Sequence, residues 1–265
     1  MAPTVLITGA SSGIGLELAK IFARENNNLI LVARSEDKLN ALKSELTESR
    51  DIHVTVFVHD LTDLASPQKL FDQIQQNNLS VDVLVNNAGY GDYCEFASSD
   101  WVKQQGMVSL NVMTLTHLTH LLLPGMLQRG RGKILNVAST AAFQPGPMMA
   151  VYFASKAYVL SFSEALSAET EGTGVSVTVL CPGPTQTNFV EVANMDNIAA
   201  VANVPADAFP TADAVAEYGY TALQKGQVVA IHGVLNRLLI LSNRFVPRSL
   251  IRKGLKQFMA PKEDV

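Results

Sequence analysis

Residues 3–20 read PTVLITGASSGIGLELAK. The apolar run Val5-Leu6-Ile7 meets three glycines, Gly9, Gly13 and Gly15. Leu16, Ala19, Ile21, Phe22 and Ala23 then supply the apolar positions of a helix-like stretch. Strand, tight glycine turn and helix in succession form the context that a dinucleotide-binding loop requires. Glycines let the backbone approach a pyrophosphate, and the following helix offers it free N–H groups and a positive dipole end. The spacing is G-x-x-x-G-x-G rather than G-x-G-x-x-G, and on these residues alone a plain strand–helix turn reads the same way.

Outward from this loop, strand-like runs fall near 4–8, 29–33, 53–58, 81–85, 133–138, 175–180 and 228–232. Helix-like stretches lie near 14–25, 35–48, 66–76, 100–127, 151–170 and 211–224. Near-continuous apolar strands, such as Val81–Val85 and Val175–Leu180, suit a sheet covered on both faces. The alternation predicts an α/β fold with a doubly wound parallel sheet, Rossmann-like, in one domain. Ligands of such sheets bind outside the carboxyl ends of the strands. Gly9, Arg34, Asp60, Asn86, Ser139 and Pro182 all fall at those ends, so the motifs converge on one rim.

Composition sets the bounds. A chain of 265 residues, 48% hydrophobic, can bury a large core as a single domain. A net charge of −4 gives no sign of a nucleic-acid binder. Cys94 and Cys181 are far apart and lack metal-ligand spacing, so they read as reduced residues and no metal is expected; Cys94 is a candidate neighbour of the substrate. No basic-then-apolar leader precedes the first strand and no run of 18 apolar residues occurs, which gives the expectation of a cytoplasmic location without a membrane span.

Chemistry enters at residues 151–157, VYFASKA, where Tyr152 and Lys156 stand four apart, thirteen and more positions after Ser139. On a helix that spacing places phenol and ammonium on one face. A neighbouring positive charge lowers a pKa by about 1–3 units, from about 10 for tyrosine. That moves Tyr152 toward the range where general acid–base catalysis works best. Taken alone, four residues of this kind are also compatible with a chance pair on a solvated helix.

Together the motifs resemble those of the short-chain dehydrogenase/reductase family, single-domain type, over roughly residues 3–233. Thr8-Gly9-Ala10-Ser11-Ser12-Gly13-Ile14-Gly15 is similar to its cofactor loop, and Asn86-Asn87-Ala88-Gly89 to its second signature. Asn111, Ser139, Tyr152 and Lys156 match its catalytic tetrad in order and spacing, and Pro182-Gly183 with Thr185 and Thr187 resembles its motif beside the nicotinamide. The resemblance implies hydride transfer between a nicotinamide cofactor and a carbonyl or secondary alcohol. Ser139 and Tyr152 would bind the substrate oxygen, Tyr152 would be the general acid/base, and Lys156 would bind the ribose. Asn111 would hold a water next to Lys156, although an asparagine in a long helix is equally a kink or packing residue. Asp60, with Leu61 after it, matches the position near the adenine; an exposed turn residue is the other reading.

The second strand ends Ala33-Arg34, where an NAD-selective site usually carries an acid for the ribose hydroxyls. An arginine fork suits a phosphate, and Ser11 or Ser12 adds a hydroxyl. NADP(H) is therefore the expected cofactor, against a solvated Arg34 that takes no part.

Residues 184–210 match the family's variable substrate lid. Phe189, Val190, Val192, Met195, Ile198 and Val201 make it apolar, as Ala141, Ala142, Phe143, Met148 and Met149 make the segment after Ser139. This points to a hydrophobic substrate, or to packing against the core or a neighbouring subunit. The domain is taken as 1–234, followed by a tail, 235–265. Between Leu235 and Ala260 the tail carries Arg237, Arg244, Arg248, Arg252, Lys253 and Lys256 and no acid, interleaved with leucines and phenylalanines. It resembles the tail of the family's bacterial DltE-like branch. Such a stretch can lie on an anionic membrane surface or pack over the domain or an oligomer partner, and Pro247 breaks it into two short helices.

A homodimer or homotetramer through the helices near 100–127 and 151–170 is implied by the resemblance. Phe153, Ala157, Leu160 and Ala165 form either the packing face or internal core. The alternatives in other classes are an NADP(H)-binding sensor or scaffold without turnover, and a peripheral membrane protein whose tail matters more than its site.

Overall fold

A computed structural model describes residues 2–48, 50–195, 198 and 205–261; of the residues named above, Val201 lies outside them. Seven strands form one sheet: β1 (Thr4–Thr8), β2 (Asn28–Ala33), β3 (Val54–Val58), β4 (Val83–Asn86), β5 (Gly132–Val137), β6 (Val175–Cys181) and β7 (Val229–Ile231). All pairings are parallel, in the order β3-β2-β1-β4-β5-β6-β7. The chain order reverses between β1 and β4, which makes their carboxyl ends the natural place for a ligand crevice.

Successive strand residues point to opposite faces, so each β-strand feeds two cores. Val5, Ile7, Leu29 and Leu31 pack under α1 (Gly13–Arg24), α2 (Glu36–Glu48) and the later helix Ala212–Gln224, against Leu18, Phe22, Leu39 and Val215. Leu6, Ile30, Leu84 and Ile134 face Leu70 and Ile74 of α3 (Ser66–Gln76), and Leu118, Leu122 and Leu166 beyond them. Each such side chain contributes about 1.5–3 kcal/mol when fully buried, which is why near-continuous apolar strands specify this layered arrangement.

A long helical stretch, Trp101–Gln128, comprises α4 (Trp101–Val108), a π-helical segment (Ser109–Thr114) and α5 (Leu115–Gln128). It is long and apolar enough to cross a membrane by length and composition, yet Leu118, Leu122 and Met126 pack into the sheet core. It runs beside α6 (Ala150–Glu169), which carries Tyr152 and Lys156. Of the four α6 residues read as packing face or core, Phe153 and Leu160 are buried in the core at 9% exposure each, Ala157 is half-buried and Ala165 is exposed. The outward strip of α6 is Val151, Ala154 and Tyr158, beside Val108 and Val112.

After β6, the chain makes one helical turn, α7 (Phe189–Val192), then α8 (Ala212–Gln224) and β7. The tail forms two helices, α9 (Val234–Ser242) and α10 (Arg248–Phe258), divided at Pro247. They lie back across the rim of the sheet. An added Cβ at Gly183 would come within 2.7 Å of Asn236 Nδ2 on α9. The Tyr93 hydroxyl donates to Met259 O just past α10 (2.7 Å).

Candidate active site

Thr8 ends β1 with its hydroxyl oxygen accepting from the backbone N–H groups of Asn87 and Ala88, both at 3.0 Å. The Asn87 amide donates back to Thr8 O and Gly9 O. The loops after β1 and β4 are thus laced together, and two glycines make this possible. Gly9 adopts φ +68°, and a Cβ there would lie 2.8 Å from Asn87 Nδ2; a Cβ on Gly15 would collide with Gly9 O and the same amide. Gly15 therefore serves loop packing and does not itself face the cavity, whereas Gly9, Ser11, Ser12, Gly13 and Ile14 line it.

That cavity, about 1280 Å³, runs along the whole rim. At one end lie Arg34 and Asp60, at the ends of β2 and β3, with Leu61 beside them. The Asp60 carboxylate accepts from the N–H and hydroxyl of Thr62 (2.9 and 2.7 Å), which holds its pKa below the usual carboxylate range. It closes the turn and lines the cavity at once. Asn87, Ala88, Gly89, Pro182, Gly183, Thr185 and Thr187 follow along the wall. A stretch of backbone N–H groups, serine hydroxyls and a guanidinium fork, opening beside the α1 N-terminus, fits a phosphorylated dinucleotide.

At the centre stand Ser139, Tyr152 and Lys156. Lys156 is buried at 5% exposure, its Nζ donating to Val137 O at 2.8 Å and lying 5.8 Å from the centroid of the Tyr152 ring. Burial pushes Lys156 down to about 8 and Tyr152 up to about 12, while Ser139 pulls the phenol the other way. The shift of Tyr152 is opposite to that expected from the spacing alone. Both groups are taken out of water, and for each this desolvation outweighs the influence of its neighbours. The phenol therefore stays protonated through the neutral range. The Ser139 hydroxyl also accepts from Ala141 N (3.1 Å), which fixes its position at the start of the following turn.

Asn111 sits inside the π-helical segment, buried behind the cavity wall. Its amide donates to Tyr90 O (3.0 Å) and to Ser155 Oγ (3.1 Å), and its carbonyl accepts from Tyr90 N (3.2 Å). Packing and proximity coincide here, because a Cβ on Gly89 would meet both Asn111 Oδ1 and Lys156 Nζ.

Beyond Tyr152 the cavity broadens into an apolar chamber. Met149, Phe153, Phe189, Val190 and Met195 line one side. Leu239, Ile240, Ile251, Leu255 and Phe258 of the two tail helices roof it. Ala141 reaches the cavity; Ala142, Phe143, Met148 and Ile198 do not. The tail was missed as part of the site, although its inward residues, Asn236, Ile240 and Asn243, then Ile251, Leu255 and Met259, recur at the helical interval of three or four.

Asp92 and Tyr93 also escaped the sequence reading, which named only their neighbour Cys94. Asp92 Oδ1 takes a 2.6 Å ion pair from Lys103 and a 3.1 Å bond from Asn194 of the lid. Tyr93 N donates to Ala193 O (2.8 Å) while its side chain holds Met259 O. Cys94 N donates to Met148 O (2.7 Å), and the thiol, which does not line the cavity, donates to Asp92. Asp92-Tyr93-Cys94 thus clasps lid, tail and the segment before α6 together.

A rim of this construction defines a dinucleotide-dependent oxidoreductase, and comparison with known proteins gives the family. The model for short chain dehydrogenases matches residues 3–197, and the chain belongs to that family. Over 251 residues it is 36% identical to sulfoacetaldehyde reductase 2 of Chromohalobacter salexigens, covering 92% of this chain and 96% of the relative. Two longer curated relatives, ketoacyl reductase HetN of a Nostoc species and the very-long-chain 3-oxoacyl-CoA reductase of Anas platyrhynchos, are matched over 62% and 58% of their length. Among solved structures, a short-chain dehydrogenase from Sphingobium yanoikuyae in complex with NADPH superposes with a TM-score of 0.81 at 29% identity, covering 99% of this chain and 98% of that one. The bulky-bulky ketone specific alcohol dehydrogenase from Comamonas testosteroni gives 0.77 at 27% identity, covering 99% and 97%.

Proposed function

We propose that this protein uses NADPH to reduce a bulky, uncharged, largely apolar ketone or aldehyde, or oxidises the matching alcohol with NADP⁺. The observation that carries the substrate class is the chamber beyond Tyr152, walled by Phe153, Phe189, Met195, Ile251, Leu255 and Phe258. Of the charged groups that reach the cavity besides Lys156, Lys103 is taken by Asp92, Asp100 caps α4, and Arg34 and Asp60 sit at the far end. Among the described residues lining the cavity, the one cation beside Tyr152 is Lys156, which donates to Val137 O and serves the phenol, so none is left over to meet an anionic substrate. The similarity to a sulfoacetaldehyde reductase therefore does not carry its substrate across. The solved relative specific for bulky ketones lends support.

Arg34, with Ser11 and Ser12, would hold the 2′-phosphate, and Pro182-Gly183 and Thr187 the carboxamide side. The cofactor supplies the hydride. Ser139 and Tyr152 donate hydrogen bonds to the carbonyl oxygen, stabilising negative charge as it develops there. Tyr152 gives that oxygen its proton, and charged Lys156 steadies the phenolate left behind. For Asn111 the side-chain amide is committed to Tyr90 and Ser155, so a water beside Lys156 would be held by backbone carbonyls of the π-helical segment. The outward strip of α4–α6, with Val108, Val112, Val151 and Ala154, is where a homodimer or homotetramer would pack.

The substrate class is tested by kcat/KM for neutral ketones of increasing bulk beside the same ketones bearing a carboxylate or sulfonate. Each buried methylene contributes about 0.8 kcal/mol, so kcat/KM rises about fourfold per methylene until the chamber is full, and the anionic analogues fall behind. Equal or better rates with the anions would overturn the reading.

A further inference from the structure

The two tail helices have two different faces. The inner face, Ile240, Ile251 and Leu255, roofs the substrate chamber. The outer face carries Leu235, Leu238, Leu241, Phe245 and Leu250, each at least half exposed and Phe245 at 81%. Arg244, Arg248, Arg252, Lys253 and Lys256 are exposed among them. A sixth cation, Arg237, is instead held by Ile231 O (2.9 Å) and the Tyr218 hydroxyl (2.7 Å). No Asp or Glu occurs between residues 235 and 260, although the whole chain has a net charge of −4.

We propose that the outer face of α9 and α10 docks on an anionic lipid surface, placing the roof of the substrate chamber against the membrane. A contiguous exposed apolar surface marks an interaction site. When such a surface is interleaved with Lys and Arg on short amphipathic helices, it matches the interfacial layer of a bilayer, with apolar side chains in the acyl boundary and cations at the headgroups. Anionic headgroups supply the charge that the tail lacks. A second copy fits less well, because a two-fold contact through this face would set its cations against one another. Once docked, only the thickness of α9 and α10 separates lipid from chamber, so an apolar carbonyl dissolved in the membrane has a short path to Tyr152. That consequence rests on the proposed function; the docking does not.

The test is co-sedimentation of the full chain, without substrate or cofactor, with vesicles of phosphatidylcholine alone and of equimolar phosphatidylcholine and phosphatidylglycerol. Sedimentation with the anionic vesicles only is expected, weakening as salt is raised. Arg248→Glu, Arg252→Glu and Lys253→Glu, whose side chains do not line the chamber, should each lower partitioning by about fivefold or more, the equivalent of about 1 kcal/mol per basic residue. Phe245→Ser and Leu250→Ser should weaken it as well, and all five variants should keep the activity of the parent on a water-soluble ketone. Absence of sedimentation, or equal sedimentation with neutral vesicles, overturns the proposal. So does concentration-dependent self-association that the same charge reversals abolish in the absence of vesicle binding, which would assign the face to a second copy. Because sedimentation is read without turnover, its failure leaves the proposed reductase activity untouched.

Discussion

Tyr152 and Lys156 are both inside the protein, and leaving water moves their pKa values in opposite senses. The phenol, pushed up to about 12, stays protonated across the neutral range, while the ammonium, pushed down to about 8, loses its charge just above it. The proposed reduction needs a proton on Tyr152 and a positive charge beside the phenolate that forms, so Lys156 would set the alkaline limit. The reductive kcat/KM should be flat below neutrality and fall as pH rises through about 8. Lys156→Arg, which keeps its charge at any accessible pH, should lose that inflection even if its rate is lower. A rate that climbs through this range would contradict the assignment. Arg34 is the other residue-scale determinant. Arg34→Ala should lower the preference for NADPH over NADH by at least tenfold, or about 1.4 kcal/mol, leaving the KM for NADH unchanged; an unaltered ratio would show that the guanidinium is merely solvated.

At the scale of elements, the chamber depends on how the lid and the tail are held. Tyr93 does both, through its backbone N–H to Ala193 and its hydroxyl to Met259 O. Tyr93→Phe leaves that carbonyl without its donor, a loss of about 1–3 kcal/mol. It should raise KM for bulky ketones severalfold and leave kcat on small ketones near that of the parent. A uniform loss of kcat across ketone sizes would mean that the clasp acts on the chemistry instead. The elements themselves were legible because glycine turns and apolar periodicity are local signals: Gly9 and Gly13 mark the first turn and Pro247 divides the tail. The clasp was not legible, because Asp92 and Tyr93 meet partners from 11 to 166 residues away. Nothing in their own neighbourhood announces these contacts. The π-helical segment was also hidden, since Ser109–Thr114 has an ordinary helical composition.

For the whole molecule, a parallel sheet with strand order β3-β2-β1-β4-β5-β6-β7 brings six loops to one edge, and the motifs scattered from Gly9 to Thr187 become one cavity. This convergence could be anticipated from the strand ends. The roof could not, because an amphipathic tail has the same sequence pattern whether it covers a chamber, a partner or a membrane, and only its docked position shows that one face closes the chamber. The proposed reaction depends on Tyr152 as proton donor for a bulky carbonyl in that chamber. The most direct measurement is NADPH oxidation with a graded set of neutral ketones by the parent chain and by Tyr152→Phe, with NADPH affinity followed by fluorescence for both. Turnover should increase with ketone bulk and fall by about 10²–10⁴-fold in the variant, with NADPH affinity nearly unchanged. Comparable turnover by Tyr152→Phe, or tight NADPH binding by the parent with no ketone reduced, would contradict the proposed reaction.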